Sequence, residues 1–133
     1  MIGHEGKSYG FDRLFEAVQF FPHNVPQMVR EDPEILQCTN YAGETVLQFF
    51  SMEGANEIVE LLLSYGAQAD EWSVYFACGP AHERTIEILL SAGAIPNCES
   101  CARELIAWGV PRIKKQRIKR IFHRYGFSLE AKI

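Results

Sequence analysis

A repeated apolar phrase constrains the fold of this chain more than any other feature of its sequence. LLSYGAQAD at residues 62–70 recurs as LLSAGAIPN at residues 89–97. An apolar run leads into each copy, EIVELL at residues 57–62 and TIEILL at residues 85–90. Apolar residues at this spacing predict amphipathic helices that end at the glycine of the phrase, Gly66 or Gly93. Helices this short cannot bury their apolar faces alone. The duplication therefore predicts repeated units that stack on one another.

The equivalent glycines give the length of the unit. Gly66 and Gly93 are 27 residues apart, and Gly93 and Gly126 are 33 apart. Going backwards, the equivalent position at Asp32 lies 34 residues before Gly66. The 133 residues thus divide into units of about 33 residues, one of them shortened. We expect a flexible segment at residues 1–9 and a single domain at 10–133, with units at about 10–39, 40–70, 71–97 and 98–133.

Each unit is predicted to contain two short helices with a tight turn between them. In the first unit the second helix spans residues 25–30 and ends before Pro33, because proline disfavours helical geometry in the residue that precedes it. In the fourth unit we predict a helix at residues 100–108 and, starting near Pro111, a long last helix that reaches Tyr125. The predicted inner face of this last helix consists of Ile113, Ile118, Ile121, Phe122 and Tyr125.

The unit at residues 40–70 resembles an ankyrin repeat. GETVLQ at residues 43–48 stands where the family has G-x-T-P-L-H, and EIVELLL followed by Gly-Ala matches the second helix of the family and its exit. Val46 replaces the family's proline, Gln48 its histidine, and Phe50 fills a position that is usually alanine, so we expect this ring to displace a neighbour. The resemblance implies an all-α fold, a short ankyrin-like solenoid of stacked helix pairs with atypical capping units.

The same resemblance implies a partner-binding surface at the turn tips and on the exposed side of the first helices. In the unit at residues 40–70 these positions are Tyr41, Ala42, Glu44, Met52 and Glu53. Tyrosine and methionine are enriched in interface cores, and the carboxylates could steer a basic partner. Trp72 lies on the shortened connection that follows, where an indole either anchors a partner or fills a gap in the core.

The formal net charge of −4 conceals a strong asymmetry. Residues 1–110 carry −11, whereas residues 111–133 carry +7. The last helix therefore carries a basic patch, formed by Arg112, Lys114, Lys115, Arg117, Lys119 and Arg120. Such a patch could contact nucleic-acid phosphates or an acidic protein surface. The alternative is a solvated cap face that offsets the acidic body, which would itself repel nucleic acid.

The sequence contains no pattern typical of catalysis or of cofactor binding. It has no G-x-S-x-G, no glycine-rich phosphate loop and no H-E-x-x-H. Cys98 and Cys101 form a single C-x-x-C, whereas a zinc site needs about four ligands. Cys78 and His82 could supply two more, but Gly79 and the proline after it break any helix that would align these two side chains. We therefore expect no metal and no redox role, and we interpret these thiols as buried or incidental.

The N-terminus has no apolar core of a signal peptide, so an intracellular, cytoplasmic protein with reduced thiols is expected. No apolar run approaches the ~20 residues that a membrane-spanning helix needs, and we predict no membrane partner. The favoured function is non-catalytic binding of another protein with a basic surface. A free-standing chain of four units also suggests an inhibitor that acts by occlusion, for example an immunity protein that neutralises a basic toxin enzyme. The alternative is a nucleic-acid-binding or regulatory protein that uses the basic C-terminal helix.

Overall fold

The computed structural model describes the backbone of residues 2–129 and the side chains of residues 10–129, and this part of the chain is all-helical. It holds eight α-helices: α1 (Ile2–Phe20), α2 (Val25–Glu31), α3 (Val46–Glu53), α4 (Asn56–Ser64), α5 (Glu71–Cys78), α6 (Glu83–Ser91), α7 (Cys98–Ala107) and α8 (Arg112–Arg124). Two 3-10 helices, Pro22–Asn24 and Pro33–Gln37, flank α2. The described residues form no β-strand, and one isolated antiparallel bridge joins Thr39 to Thr45.

Side-chain caps begin the helices α3, α5 and α7. Thr45 caps α3 in a capping box with Gln48, in which each side chain accepts a hydrogen bond from the other residue's backbone N–H. Asp70 caps α5 and Asn97 caps α7, each by accepting from the backbone N–H three residues further on. Caps satisfy N–H groups that a helix start leaves unpaired. They account for sharp starts in helices that have only 8 to 10 residues.

Glycines end several of these helices. Gly54, Gly66 and Gly93 follow α3, α4 and α6 and have φ values of +69°, +105° and +98°. Residues with a side chain rarely adopt this left-handed region, so glycine is the residue that can turn the chain there. The predicted left-handed end at Gly66 is confirmed.

The helices pack in two rows. Helix α5 packs against both α3 and α7, and α6 packs against both α4 and α8. The rows are joined by contacts of α3 with α4 and of α5 with α6. Two contacts fix the alignment of α6 and α8, because Glu83 and Glu87 of α6 pair with Arg117 and Arg124 of α8 in the same order. These two helices therefore run in the same direction.

Four phenylalanines join α1 to α3 inside the core. The ring of Phe15 stacks on Phe50 at a centroid distance of 5.2 Å and meets the edge of Phe49 at 5.0 Å. Phe11 also stacks on Phe15, at 5.4 Å. Phe50, predicted to displace a neighbour, is buried in this cluster, so the space for its ring lies against α1.

The two ends of the chain are described only in part. The backbone of residues 2–9, predicted as a flexible segment, belongs to α1. Met1 and residues 130–133, which the prediction assigned to the flexible segment and to the fourth unit, lie outside the described residues. The 3-10 helix at Pro33–Gln37 was not predicted, and it buries Ile35 and Leu36 against α1 and α2.

The inner face of α8 was predicted correctly except at one position. Ile118, Ile121 and Phe122 are buried and Tyr125 is half-buried, as expected. Ile113 is 71% exposed, so its placement on the inner face was wrong. It precedes Ile118 by five residues, and five residues of an α-helix rotate the side chain about 140° from the start. Ile113 therefore points away from the neighbouring helices.

Candidate functional site

A hydrogen-bonded turn presents the first group of predicted binding residues. The side-chain oxygen of Asn40 accepts hydrogen bonds from the backbone N–H groups of Ala42, at 3.0 Å, and Glu44, at 2.9 Å. Its amide also donates to the Glu44 carboxylate at 3.0 Å. The bridge between Thr39 and Thr45 closes the turn below. Tyr41 is fully exposed at the tip and Ala42 is exposed beside it, so a constrained backbone presents an aromatic side chain to solvent.

The second group lies on α3 and α5. Met52 is half-buried and Glu53 is exposed, both in the last turn of α3. The Gln48 amide of α3 donates at 2.9 Å to Asp70, the residue that caps α5. This bond ties the start of one helix to the start of the next. The turn that carries Tyr41 is therefore connected through α3 to the helix that carries Trp72.

Trp72 is a surface residue. Its side chain is 53% exposed, and its ring meets Tyr75 edge to face at a centroid distance of 5.7 Å. Tyr75 meets Phe76 in a similar way at 5.5 Å. Trp72, Tyr75 and Phe76 are called the aromatic cluster below. Of the two predicted roles for Trp72, a plug in the core and a surface anchor, its exposure agrees with the second.

Sequence reasoning missed Tyr75 and Phe76 as members of this surface. Their spacing of three and four residues from Trp72 places all three on adjoining parts of the exposed side of α5. Helix α7 borders the aromatic cluster, because its residue Glu104 lies next to the Tyr75 hydroxyl. Burial and the Glu104 carboxylate raise the pKa of Tyr75. The spacing signal was available in the sequence, whereas the approach of α7 was not.

Close contacts also join the turns that follow α3, α5 and α7. The imidazole of His82 covers Gly54, where a Cβ atom would lie 2.7 Å from Nδ1. The indole of Trp108 covers Gly79, where a Cβ atom would lie 2.5 Å from Nε1. At both places the next turn along the row supplies the ring. Glycine permits this approach of side chain to backbone.

The basic patch is partly neutralised by the acidic side of α6. Arg117 makes two hydrogen bonds to the Glu83 carboxylate, at 2.8 and 3.1 Å. Arg124, just beyond the patch, pairs with Glu87 at 2.8 Å. The hydrogen bond from Arg117 lowers the pKa of Glu83, against an opposing effect of burial. The prediction weighed these arginines as an unpaired surface, and it did not anticipate their partners on α6.

The rest of the patch occupies the outer side of α8. Arg112 and Arg120 are exposed, and Lys114, Lys115 and Lys119 are half-buried. Lys119 and Arg120 line an open groove of about 450 Å³ with Phe127 and the end of α8. This groove combines cationic and apolar side chains.

The cysteines form packing contacts. Cys98 begins α7 and is half-buried, while Cys78 and Cys101 are fully buried and lie in contact between α5 and α7. The hydrogen bond with Cys101, followed by burial, raises the pKa of Cys78 well above its usual value. The described residues contain no disulfide and no group of three or more His, Cys, Asp or Glu side chains arranged to hold a metal ion.

The described part of the chain contains no helix that is long and apolar enough to cross a membrane. Comparison of the chain with models of protein families, with curated proteins and with solved structures gave no match in any of the three. The function is therefore inferred from the geometry and charge of the surface.

Proposed function

We propose that this chain is a non-catalytic protein-binding module, built as a short ankyrin-like solenoid, whose turn at residues 40–44 and first-helix row bind a partner with a basic surface. The observation that carries the proposal is the exposure of Tyr41 and Trp72 on backbone that side-chain hydrogen bonds hold in place. Aromatic anchors of this kind dominate the energy of protein interfaces. Because the backbone is already ordered, little conformational entropy is lost when a partner binds.

The packing of the helices supports the ankyrin-like part of the proposal. The row α3, α5, α7 has a side-chain cap at each start, and the row α4, α6, α8 lies behind it. A stack of this kind exposes one side of the first helices along its length. Met52, Glu53 and Trp72 belong to that row, and Tyr41, Ala42 and Glu44 belong to the turn that leads into it.

The distribution of charge supports a basic partner. Glu53 and Glu71 are exposed on α3 and α5, and in the described part of the chain no lysine or arginine pairs with either carboxylate. By contrast, Glu83 and Glu87 on α6 are matched by arginines of α8. Within the described residues, the proposed binding side therefore carries acidic charge without an ion pair, as Glu57 and Glu60 do on α4. Complementary charge of this kind speeds association and selects the partner.

An occluding inhibitor is the more specific form of this proposal. A toxin enzyme that acts on nucleic acid needs a basic active-site surface, and an acidic face with aromatic anchors could cover it. An immunity protein that neutralises such an enzyme would work in this way. The pairing of Arg117 and Arg124 with acids weighs against direct nucleic-acid binding through α8, the alternative function.

Affinity capture from the source organism with matched variants tests the proposal. We expect Tyr41→Ala, Met52→Ala and Trp72→Ala each to reduce recovery of the main captured protein, with at least one variant lowering affinity about tenfold or more. Tyr65→Ala, which removes a partly exposed aromatic ring at the end of α4, should capture as much as the wild type. Circular dichroism should show equal helicity for all variants. Equal capture by the wild type and all three site variants would refute the assignment of the surface.

A further inference from the structure

The aromatic cluster forms a corner of rings on the surface of α5. The planes of Trp72 and Tyr75 meet at 79°, and those of Tyr75 and Phe76 meet at 69°. Trp72 presents 53% of its surface to solvent, whereas Tyr75, which meets its ring edge to face, and Phe76 are half-buried. The indole is therefore accessible to a ligand while one contact with Tyr75 restrains it. An aromatic face carries negative electrostatic potential and attracts cations.

Two carboxylates belong to the helices that form or border this corner. Glu71 precedes Trp72 in α5 and is exposed, and Glu104 of α7 lies next to the Tyr75 hydroxyl. Arg103 of α7 is a cation that acts on the Tyr75 hydroxyl, and its guanidinium is paired with Glu99 at 2.9 Å. The local charge around the cluster is therefore acidic.

Taking the proposed binding function as its basis, we propose that the aromatic cluster binds an arginine side chain of the basic partner, with its guanidinium over the indole of Trp72 and its charge balanced by Glu71 and Glu104. A guanidinium is flat and weakly hydrated, so it can lie on a ring and donate hydrogen bonds to a carboxylate at the same time. A lysine ammonium is a compact, strongly hydrated charge and gains less from a flat surface. The geometry thus favours arginine over lysine.

The test uses the full chain and two peptides, hexa-arginine and hexalysine, in NMR titrations that follow the indole N–H signals of Trp72 and Trp108. Trp72→Phe assigns the two signals. We expect hexa-arginine to shift the Trp72 signal more than the Trp108 signal and to bind several-fold more tightly than hexalysine. Trp72→Ala and Glu104→Gln should each weaken hexa-arginine binding, by about fivefold to tenfold for the tryptophan.

Glu57→Gln is the matched control, because it removes one exposed carboxylate from α4 and changes the net charge equally. It should leave hexa-arginine binding within about twofold of the wild type. Three results would overturn the proposal: no binding of hexa-arginine, equal binding by Trp72→Ala and wild type, or equal losses in Glu57→Gln and Glu104→Gln. Hexalysine binding as tight as hexa-arginine would overturn the assignment of arginine.

The proposed function can survive the failure of this inference. If Trp72→Ala loses the captured partner but peptide binding does not depend on Trp72, the surface still binds a protein, and the group that meets the indole is not an arginine. If capture is unaffected by all of the site variants, the binding function itself fails.

Discussion

Gly10 lies on α1 where this helix meets the 3-10 helix at Pro33–Gln37. Inside a helix, alanine is preferred to glycine by about 1 kcal/mol, so propensity alone favours Gly10→Ala. Packing opposes this change, because a Cβ atom would overlap the Cys38 sulfur and lie 3.4 Å from the side chain of Ile35. We expect packing to prevail and Gly10→Ala to destabilise the fold by about 1–3 kcal/mol in urea unfolding.

A double variant separates the two effects at this position. Cys38→Ala removes the sulfur that the new methyl group would meet, so the cost of Gly10→Ala should be smaller in that background. Equal costs of Gly10→Ala with and without the Cys38 sulfur would show that the close contact does not determine the effect.

Cys78 makes stability depend on pH in the alkaline range. Its pKa is raised by the hydrogen bond with Cys101 and by burial, so the folded state keeps a proton that an unfolded thiol, with a pKa of about 8.5, gives up. The stability that the protonated Cys78 thiol contributes is complete below the pKa of the unfolded thiol. It is lost as the pH rises through the pKa of Cys78 in the folded state. We expect the free energy of unfolding of wild type to fall above about pH 8.5 more steeply than that of Cys78→Ala.

Urea unfolding from pH 7 to 10 under reducing conditions measures this difference. Cys98→Ala is the matched control, since it removes a half-buried thiol at the start of α7 and should keep the wild-type slope. Parallel curves for wild type and Cys78→Ala would contradict the expectation.

At the scale of the element, the pairing of α6 with α8 explains how a basic helix fits an acidic chain. Arg117 lowers the pKa of Glu83 in the folded protein. The ionised carboxylate therefore contributes stability above the pKa of an unfolded glutamate, about 4.3, and this stability is lost as the pH falls through the lower pKa of the folded state. We expect the midpoint temperature of wild type to drop more between pH 5 and 3 than that of Glu83→Gln. Glu57→Gln, which changes an exposed acid of α4, should follow the wild type.

The helices could be predicted from local patterns, and their partners could not. The repeated phrase and the spacing of Ile118, Ile121 and Phe122 predicted the helices and the inner face of α8, because both are properties of neighbouring residues. The pair of Arg117 with Glu83 spans 34 residues, so no local pattern contains it. Ile113 was grouped with these residues on one face, but it is 71% exposed.

The candidate site was predictable to a similar extent. The resemblance of residues 40–70 to an ankyrin repeat singled out Tyr41 and Met52, and the shortened connection drew attention to Trp72. The corner that Trp72 forms with Tyr75 follows from their spacing on α5, whereas the approach of Glu104 depends on how α7 packs against α5. That packing arises from tertiary contacts and leaves no signal in the spacing of residues.

At the level of the whole molecule, the two rows of helices present different charged and aromatic surfaces. The row α4, α6, α8 carries the ion pairs between α6 and α8, while the row α3, α5, α7 carries the aromatic cluster together with the exposed carboxylates Glu53 and Glu71. A protein partner that binds the first row would leave the second row in solvent. The two rows therefore distinguish the proposed function from nucleic-acid binding through α8.

Hydrogen–deuterium exchange of the chain, alone and bound to its captured partner, tests this claim most directly. We expect slower exchange in the complex at residues 40–53 and 71–78, with little change at 83–91 and 112–124. Protection confined to 83–91 and 112–124, with unchanged exchange at 40–53 and 71–78, would contradict it.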